Sequence, residues 1–411
     1  MKPLFIAHHS DDDAEVDLIF DELRLRGVRS WVDHRNGFYL CDSQASTAHR
    51  VITRECSGFL LYARQRDGTC PALDSSPFIR NVEIPAAFEA ANTDHSYLLA
   101  AIPVGLSFGD LRNLTVDLIG KDLSSFNSIQ GVDASNLPIR AAQYGREFAR
   151  LLLARAHARS KPKRRVLLSF FTHDERPPLP DDDLSLDWSG AIDHLGCRPL
   201  FESSRLVRAL VDVRLEIARQ FGHTVIRVRG TLHLSVAVAV GRVFVGPSRL
   251  HIEMEQNNCF WTTSCAGKGR SFFDFVSEDG AADSRELYVG VSATRHDVRP
   301  AIRDYVSRTA KQPREFLWFH PKNGFRDIAV SDNATSCDAA RQVGETVAQR
   351  AARLRSQRVH LFMAVPQTLA MMIGRSMNAC PTLHTYEFLG GQYYPSLILT
   401  DVLLEPEASN R

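Results

Sequence analysis

The sequence predicts an α/β protein with a parallel sheet in its N-terminal part, followed by two related α/β halves. From residue 1 to about 157, short apolar strands alternate with helical segments, which is typical of a doubly wound domain. Further on, RRVLLSFFTHDERP and RELYVGVSATRHDVRP each combine an apolar strand, a hydroxyl residue and HDxRP, and the second copy begins about 120 residues after the start of the first. SKPKRR, between the two parts, predicts a short solvated linker.

Composition excludes several classes of protein. The chain has 411 residues, 44% of them hydrophobic, which is enough for two or three packed domains. Its 49 basic and 48 acidic residues nearly cancel, so there is no global attraction to nucleic acid or anionic lipid. The 8 cysteines include no C-x-x-C pair, and the first apolar run is too short for a signal peptide. We expect a cytoplasmic protein with no membrane span and no metal site.

The N-terminal part contains four predicted strands and their helices. In the first helix, Val16, Ile19, Phe20 and Leu23 form an apolar stripe and Gly27 marks its end. LTVDLIG predicts an additional edge strand. The predicted strands are PLFIAHH, RSWVDH, GFLLYA and SYLLAAIPV. The predicted helices are SDDDAEVDLIFDELRLRG, DSQASTAHRVITREC, SPFIRNVEIPAAFEA and IRAAQYGREFARLLLARAHA.

The C-terminal part repeats the same alternation in two halves, about residues 165–284 and 285–405. Its helices show a stripe at helical spacing, and its strands are short apolar runs bounded by polar residues. The predicted helices are RLVRALVDVRLEIARQFG, AIRDYVSRTA, CDAARQVGETVAQRAARL and PQTLAMMIGRSM. The predicted strands are HTVIRVRG, HLSVAVAVG, EFLWFH, VHLFMAV, TLHTYEF and YPSLILTDV.

Glu83 is out of place in its predicted helix. Ile79, Val82 and three alanines fall on one apolar face, and Glu83 projects from the middle of that face. Pro85 removes a backbone hydrogen bond and is expected to open the turn beside Glu83. The spacing alone allows two interpretations: a carboxylate that reaches solvent past small alanines, or a carboxylate kept for chemistry.

Most signatures of known enzyme classes are absent, but the N-terminal part resembles one family. There is no G-x-G-x-x-G after the first strand, no P-loop, no H-E-x-x-H and no G-x-S-x-G. LFIAHHS, SWVDHRNG, SGFLLYAR and S-P-F-I-x-x-x-E-I-x-x-A together resemble a TIR domain of the bacterial, NAD-cleaving kind over about residues 1–155. The resemblance implies a flavodoxin-like parallel-sheet domain, which we assign to residues 1–157, with a linker at 158–164.

The TIR resemblance implies that Glu83 is the catalytic glutamate and that NAD⁺ is the substrate, with no cofactor. That family usually has an aromatic residue four positions before the glutamate, where this chain has Ile79, and Phe78 lies one position earlier. Ligands of open α/β sheets bind at the carboxyl ends of the strands. On that ground, with Ile79 added, the expected substrate-binding residues are Phe5, Ala7, His8, Asp33, Arg35, Asp42 and Ile79.

The C-terminal part carries a second set of motifs. VHLFMAVPQTLAMMIGR places Pro366 at a helix start, and such helix starts attract anions through unpaired N–H groups. A-x-P-x-x-L-A-x-x-I-G-R and Y-E-F, together with the repeated strand ends, resemble a SAVED domain over roughly residues 164–405. The resemblance implies two CARF-like lobes that bind a cyclic oligonucleotide, and we assign residues 165–411 to this sensor.

The messenger pocket is expected near the strand ends of both lobes. The polar, basic and glycine positions chosen there are Thr172, Arg198, Ser292, Thr294, Arg295, Pro366, Gln367, Tyr386, Gly390 and Gly391. The expected activator is a cyclic oligonucleotide, with cyclic tri-adenylate as the specific expectation. We also expect head-to-tail self-association into an oligomer or filament, because the two lobes are similar but not identical. Neither a membrane nor DNA is expected as a partner.

These expectations combine into an antiphage effector that senses a cyclic nucleotide and hydrolyses NAD⁺ at composite TIR sites between neighbouring chains. The product is ADP-ribose or a cyclised form, with nicotinamide. One alternative is a non-catalytic TIR adaptor that recruits a partner when the messenger binds. Another is a nucleotide-activated nuclease, although the sequence shows no carboxylate cluster with nuclease spacing and Asp181 to Asp183 lie in a Pro-rich stretch.

Overall fold

A computed structural model describes most of the chain. The described residues are 2–36, 44–129, 137–159, 165–173, 183–189, 200–222, 225–244, 250–256, 259–294, 296–324, 330 and 332–400. The chain divides into two compact units, Met1–Lys161 with Asp183–Ser185, and Pro162–Asp182 with Leu186–Arg411. Residues 160–164 of the predicted linker are outside the described part of the chain.

The first unit is built on a four-stranded sheet whose neighbouring strands are all parallel. Its strands are β1 (Leu4–Ala7), β2 (Ser30–Trp31), β3 (Gly58–Arg64) and β4 (Leu98–Val104), in the order β2-β1-β3-β4. Its helices are α1 (Asp13–Leu25), α2 (Asp33–Asn36), α3 (Gln44–Arg50), α4 (Pro71–Asp74), α5 (Ile84–Thr93), α6 (Phe108–Ile119) and α7 (Leu137–Arg159). The predicted α/β arrangement with a parallel sheet is confirmed for this unit.

The sheet of the first unit has a packed core on each face. Phe5 and Phe59 belong to the core shared with α5 and α6. Leu4 and Leu60, their neighbours in sequence, belong to the core shared with α1 and α7. Because successive strand residues point to opposite faces, strands covered on both sides must be apolar throughout. This explains why the sequence of each of these strands is a continuous apolar run.

The prediction of an edge strand at residues 114–120 is wrong, because this stretch lies in α6. Ser107 Oγ accepts the backbone N–H of Asp110 (3.1 Å), and Asp110 Oδ2 accepts the backbone N–H of Ser107 (3.0 Å). This capping box begins the helix, and Gly120 ends it in the left-handed region at φ 68°. Leu111 and Thr115, four positions apart, are the buried residues of α6, so its burial follows the helical period.

Two predicted helices of the first unit each contain a wider, π-helical turn. The predicted helix of residues 42–56 consists, where described, of α3 followed by a π-helical turn at Val51–Glu55. The predicted helix of residues 76–90 contains a π-helical turn at Ile79–Glu83 that leads into α5. Such turns hold one residue more than an α-helical turn, and they occur frequently at functional sites.

The second unit contains two sheets, each with its own helices. The first lobe has the strands β5 (Arg165–Phe171), β6 (Leu184–Asp187), β7 (Val225–Arg229), β8 (His251–Gln256) and β9 (Cys259–Thr262), in the order β6-β5-β7-β8-β9. The first two residues of β6 are grouped with the first unit. Its helices are α8 (Leu200–Phe221) and α9 (Leu234–Val243). β5, β7 and β8 are parallel, and β9 is antiparallel at the edge.

The second lobe is larger. Its strands are β10 (Phe273–Asp279), β11 (Glu286–Ser292), β12 (Glu315–Pro321), β13 (Arg358–Ala364), β14 (Thr382–Leu389) and β15 (Gln392–Leu399), in the order β10-β12-β11-β13-β14-β15. Its helices are α10 (Arg299–Thr309), α11 (Asn333–Leu354) and α12 (Gln367–Ser376). The four central strands are parallel, and an antiparallel strand closes each edge. The prediction of two related α/β lobes agrees with these two sheets.

The prediction of a strand at HLSVAVAVG is wrong, because these residues form most of α9. Every residue from Ser235 to Val243 is buried, so α9 is apolar on all sides and shows no helical stripe. Alternating valine and alanine then imitates the period of a strand. The strands β8, β9 and β10 were not predicted, because their polar residues and short lengths give no clear apolar run.

Candidate functional site

The first candidate site lies at the carboxyl edge of the four-stranded sheet. The chain leaves β1 through α1 and leaves β3 through α5, and these helices cover opposite faces of the sheet. β1 and β3 are neighbours, so the strand order reverses between the two connections, which is the usual ligand position in open α/β sheets. Ala7 ends β1 at this edge, and the segment after β3 leads to Glu83.

Glu83 is positioned by the π-helical turn that precedes α5. The backbone N–H of Ile84 donates to the carbonyl oxygen of Ile79, five residues earlier, instead of the acceptor four residues earlier that an α-helix uses. Pro85 follows immediately and has no N–H to continue the ladder. The predicted opening of the helix beside Glu83 is therefore confirmed.

The Glu83 carboxyl group is buried without full hydrogen bonding. The residue is only 4% exposed, and its Oε2 atom has no hydrogen-bond partner among the described residues. Burial, and secondly the charge of Asp33, raise the pKa of Glu83 to about 8. The interpretation in which this side chain reaches solvent is wrong. A carboxyl group held in this way is destabilising unless a ligand completes its surroundings.

Asp33 is the predicted residue that the structure brings near Glu83. It is the first residue of α2 and is exposed, and its negative charge acts on the buried carboxyl group. One buried and one exposed carboxyl group thus share a region at the carboxyl edge of the sheet. This arrangement attracts a cation, or a group that becomes positive during reaction, because either one relieves the repulsion between the two carboxyl groups when both are ionised.

We predict that Glu83 makes the first unit less stable as the pH rises from 4.5 to 8. The folded state keeps the Glu83 proton up to about pH 8, whereas an unfolded glutamate loses its proton near the ordinary value of 4.5. The folded state therefore binds more protons in this window, and the unfolding free energy falls by roughly 1.4 kcal/mol per pH unit. Glu83→Gln removes this term. Denaturant unfolding of both proteins should show an advantage for Glu83→Gln that grows with pH, and a constant difference would contradict the burial.

The other predicted substrate-binding residues have different surroundings. His8 is buried, with Nε2 2.9 Å from Asp13 Oδ1. Arg35 pairs through Nε with Asp17 Oδ1 (2.5 Å), on α1. Phe5, Ala7 and Ile79 are side chains of the core on the α5 face of the sheet. Asp42 lies outside the described residues. Contact of any of these residues with a substrate stays a prediction.

Two aromatic residues near this edge were not among the predicted site residues. Trp31 stacks on Phe5 with ring centroids 4.8 Å apart, at the end of β2. Phe78 is half-buried, five positions before Glu83. In a regular α-helix, the residue four positions before Glu83 lies on the same side of the helix as Glu83. The π-helical turn holds one additional residue, so it brings Phe78, five positions before Glu83, towards that side. In the sequence, Pro85 indicates an interruption of the helical hydrogen bonds nearby, but not which residues form the wider turn.

The second candidate site is built where α9 and α12 cross in the second unit. A Cβ atom added to Gly241 would lie 1.8 Å from Met371 O, and one added to Gly374 would lie 2.1 Å from Val238 O. The two helix backbones are therefore in direct contact at these glycines. α9 follows the carboxyl end of the parallel strand β7, and α12 follows the carboxyl end of the parallel strand β13. The crossing of the two helices therefore brings equivalent strand ends of the two lobes together.

The N-terminus of α12 is tied to the first lobe by Gln367. Its Oε1 accepts the backbone N–H of Leu232, and its Nε2 donates to the carbonyl oxygens of Gly230 and Glu255, all at 3.2 Å. Pro366 is the N-cap residue, with an extended backbone. The side chain of Gln367 thus links the two lobes by hydrogen bonds, and Pro366 lies at the predicted helix start.

Thr172 and two histidines surround the start of α9. Thr172 is fully buried, and its Oγ1 accepts the backbone N–H of His233 (2.8 Å). His233 stacks on the exposed His173, with ring centroids 3.8 Å apart. Burial, and secondly the charge of His173, lower the pKa of His233 to about 4, so its ring is neutral at pH 7. The predictions missed both histidines, although His173 belongs to the repeated HDxRP.

The remaining predicted pocket residues near β11 are only partly described. Ser292 is buried, and its Oγ accepts the backbone N–H of Val298 (3.2 Å). Thr294 Oγ1 donates to the carbonyl oxygen of Ala364 (3.2 Å), which joins the ends of β11 and β13. Arg198 and Arg295 lie outside the described residues.

The Y-E-F motif has a structural role that differs from the predicted one. Tyr386 is buried in the core of the second lobe, with its hydroxyl 2.6 Å from His360 Nδ1. Glu387 reaches the other lobe, where its Oε1 accepts the backbone N–H of Ser235 (2.7 Å) near the start of α9. Burial raises the pKa of Glu387 to about 7. The structure gives Tyr386 a packing role, and its expected contact with the messenger stays a prediction.

Gly390 and Gly391 form the tight turn between β14 and β15. Their φ values are 56° and 88°, and a Cβ atom at either position would meet no neighbouring atom. Two left-handed residues in a two-residue hairpin are typical of a type I′ turn. The glycines are therefore required by backbone conformation, and their expected contact with the messenger stays a prediction.

Among the described residues, no helix is both long enough and apolar enough to cross a membrane. No curated protein sequence matches this chain significantly. The family model described as "SMODS-associated and fused to various effectors sensor domain", SAVED, matches residues 211–399.

Two solved structures of one protein have a similar fold. Both are of the Acinetobacter baumannii Cap4 SAVED/CARF-domain containing receptor, one with the cyclic trinucleotide 3′3′3′-cAAA and one with 2′3′3′-cAAA. The first is 15% identical, with a TM-score of 0.51, and the match covers 94% of this chain and 98% of that chain. The second is 16% identical, with a TM-score of 0.51, and covers 87% and 84%. The family-model match identifies residues 211–399 of this chain as a SAVED domain, and the two solved structures are similar in fold.

Proposed function

We propose that this chain is an antiphage effector that binds a cyclic oligonucleotide through its second unit and cleaves NAD⁺ in its first. The observation that carries the catalytic half is the buried Glu83 carboxyl group beside Asp33, at the carboxyl edge of a parallel sheet. The TIR resemblance of residues 1–155 supports the same reaction. The reaction class is hydrolysis of the bond between nicotinamide and ribose.

NAD⁺ suits a site with one buried carboxylate. Its pyridinium carries a positive charge, which would lower the pKa of Glu83 from about 8 and favour the ionised form when substrate binds. As the bond breaks, nicotinamide leaves as a neutral base, so no acid has to protonate it. The positive charge moves to the ribose oxocarbenium ion, which the Glu83 carboxylate stabilises. Water then attacks the ribose carbon and loses a proton, which gives ADP-ribose.

The sensor half of the proposal rests on the SAVED domain at residues 211–399. The similar receptor structures contain cyclic trinucleotides of adenosine, and we propose cyclic tri-adenylate as the messenger here. The start of α12 offers backbone N–H groups to phosphates, since helix N-termini favour anions. At the start of α9, Glu387 already accepts the backbone N–H of Ser235. The His173–His233 stack beside α9 offers a flat face to a base.

The proposal is tested by incubating the pure protein with cyclic di-, tri- and tetranucleotides while NAD⁺ and plasmid DNA are monitored together. We expect NAD⁺ loss with a cyclic trinucleotide and intact plasmid. Plasmid cleavage without NAD⁺ loss would identify a nuclease instead. Messenger binding with neither reaction would favour an adaptor that recruits a partner.

We also predict that the messenger drives head-to-tail association. The two lobes are similar but not identical, so one face of a chain can contact a different face of the next, and such contacts repeat into rings or filaments. Composite sites between neighbouring first units would then form only in the assembly. With saturating messenger, specific activity should rise with protein concentration to a plateau, in parallel with light scattering. Full activity from a messenger-bound monomer would contradict this prediction.

A further inference from the structure

Cys265 and Cys337, far apart in sequence, meet where the two lobes of the second unit adjoin. Cys265 lies in the turn after β9, the edge strand of the first lobe. Cys337 lies near the start of α11, in the second lobe. The carbonyl oxygen of Thr262 accepts both the backbone N–H of Cys265 (3.4 Å) and the Sγ–H of Cys337 (3.9 Å). Around this shared carbonyl oxygen, the Cys265 Sγ–H donates to the carbonyl oxygen of Ala266 (3.4 Å), and Cys337 Sγ lies 4.0 Å from Met372 Sδ.

The turn that carries Cys265 is held against α11 on both sides of the cysteine. Before it, the backbone N–H of Thr262 donates to Asn333 Oδ1 (3.1 Å). After it, the buried Asp338 carboxylate accepts three backbone N–H groups, from Lys268 (2.9 Å), Gly269 (3.1 Å) and Arg270 (3.1 Å). The two segments that carry the cysteines are thus kept together by contacts that do not involve a covalent link.

The accessibility of this pair differs from that of the other described cysteines. Cys56, Cys70 and Cys380 are buried, and Cys259 is exposed on β9. Cys265 and Cys337 are both half-buried, so a small oxidant reaches them while bulk solvent does not surround them. Reactive thiol pairs in reducing compartments are typically accessible and placed next to a resolving cysteine.

We propose that Cys265 and Cys337 are a redox modification site, at which hydrogen peroxide produces a disulfide that joins the two lobes. The Cys265 thiolate attacks peroxide, its sulfur takes one oxygen to become a sulfenic acid, and hydroxide leaves and is protonated to water. The Cys337 sulfur, after losing its proton, attacks the sulfenic sulfur; the S–S bond forms, the S–O bond breaks, and a second water leaves. The two sulfurs together lose two electrons, which peroxide accepts.

The rate and the effect of this reaction follow from the same surroundings. Burial, and secondly the neighbouring Cys265, raise the pKa of Cys337 to about 12, so little thiolate is present and the second step is slow. The disulfide would connect elements that are already in contact, so it constrains mainly the unfolded chain. We expect the oxidised protein to melt about 5 to 10 °C higher than the reduced protein.

The test uses the full chain, treated with a small excess of hydrogen peroxide, blocked with N-ethylmaleimide and digested without reductant. We expect a peptide pair linked through Cys265 and Cys337, which dithiothreitol separates, together with the higher melting temperature. Overoxidised acids at Cys265 without a linked pair, or two free blocked thiols, would overturn the proposal. The result is independent of NAD⁺ cleavage, so it stands or fails separately from the proposed function.

Three serine variants provide the controls. Cys259→Ser, on the exposed face of β9, should retain both the linked peptides and the increase in melting temperature. Cys265→Ser should lose both. Because Cys265 lies at a surface turn, we expect the untreated variant to melt at the normal temperature, which would show that the loss does not result from misfolding. Cys337→Ser repeats the test from the other side. If oxidised Cys265→Ser showed the same increase in melting temperature as the oxidised wild type, the cysteine pair would not be the cause of the increase.

Discussion

Glu83→Gln is expected to lower the messenger-stimulated rate of NAD⁺ cleavage by at least about a hundredfold, while the affinity for the messenger stays unchanged. Glutamine keeps the size of the side chain and most of its hydrogen bonding but has no negative charge to offset the oxocarbenium ion. Nicotinamide release, measured by chromatography, gives the rate. Isothermal titration with the messenger tests the second half of the expectation.

The matched control is Glu89→Gln, the same substitution on the same helix. Glu89 lies on α5 with a side chain that is 60% exposed and pairs with His49. We expect its rate to stay within about twofold of the wild type, because an exposed ion pair contributes little. Substantial turnover by Glu83→Gln, or an equal loss in both variants, would place the chemistry elsewhere.

The activity and stability expectations for Glu83 point in opposite directions. The same substitution that removes catalysis is expected to stabilise the first unit near pH 8, because it removes a carboxyl group that is difficult to ionise in its buried position. A buried group that weakens the fold but is required for turnover is typical of a functional site. A structural glutamate would show the reverse, with stability lost on substitution.

Much of the first unit could be predicted because its sheet is covered on both faces. Each strand then appears as an apolar run, and Glu83 is conspicuous because its neighbours on that face are apolar. The π-helical turn could not be located from residue types, since Pro85 indicates only that the ladder is interrupted nearby. The approach of Asp33 to Glu83 depends on tertiary packing, although the strand-end rule did select Asp33.

The second unit was less predictable because its central helix pair is buried on all sides. SVAVAVGR in α9 and TLAMMIGR in α12 are the same pattern, with a hydroxyl residue first and Gly-Arg last. Taken alone, an apolar run without a polar face does not distinguish a helix from a strand. Comparison of the two segments would have assigned both to helices, because the second was predicted to be a helix. The strand-end rule selected Thr172 and Gln367, which lie near the starts of α9 and α12, and Tyr386, which is buried in the core of the second lobe. Contact of these residues with the messenger stays a prediction.

Gly241→Ala is expected to destabilise the second unit by about 3 kcal/mol and to abolish messenger-stimulated NAD⁺ cleavage. The added methyl group would lie 1.8 Å from the carbonyl oxygen of Met371, which is backbone and cannot rotate away. The helices must separate, and Gln367, which bonds three backbone groups of the first lobe, is displaced with α12. Guanidinium unfolding, followed by the fluorescence of Trp188, Trp261 and Trp318, measures the loss.

The control is Gly109→Ala, a helical glycine with open space around it. Its added Cβ atom would meet only Ser107 Oγ, at an ordinary 3.5 Å. We expect this substitution to be neutral or stabilising by about 0.5 kcal/mol, because alanine favours a helix over glycine. A Gly241→Ala protein as stable as Gly109→Ala would show that the two helices are not in backbone contact.

Gly374→Ala provides a stricter form of the same test. Its Cβ atom would lie 2.1 Å from the carbonyl oxygen of Val238, at the same crossing of α9 and α12. One separation of the helices makes room for both methyl groups, so the double variant should lose clearly less stability than the sum of the single losses. Additive losses would mean that each glycine acts alone, for instance through backbone conformation. A coupling of about 1 kcal/mol or more, measured by the double-mutant cycle, would show that the close crossing itself holds the two lobes together.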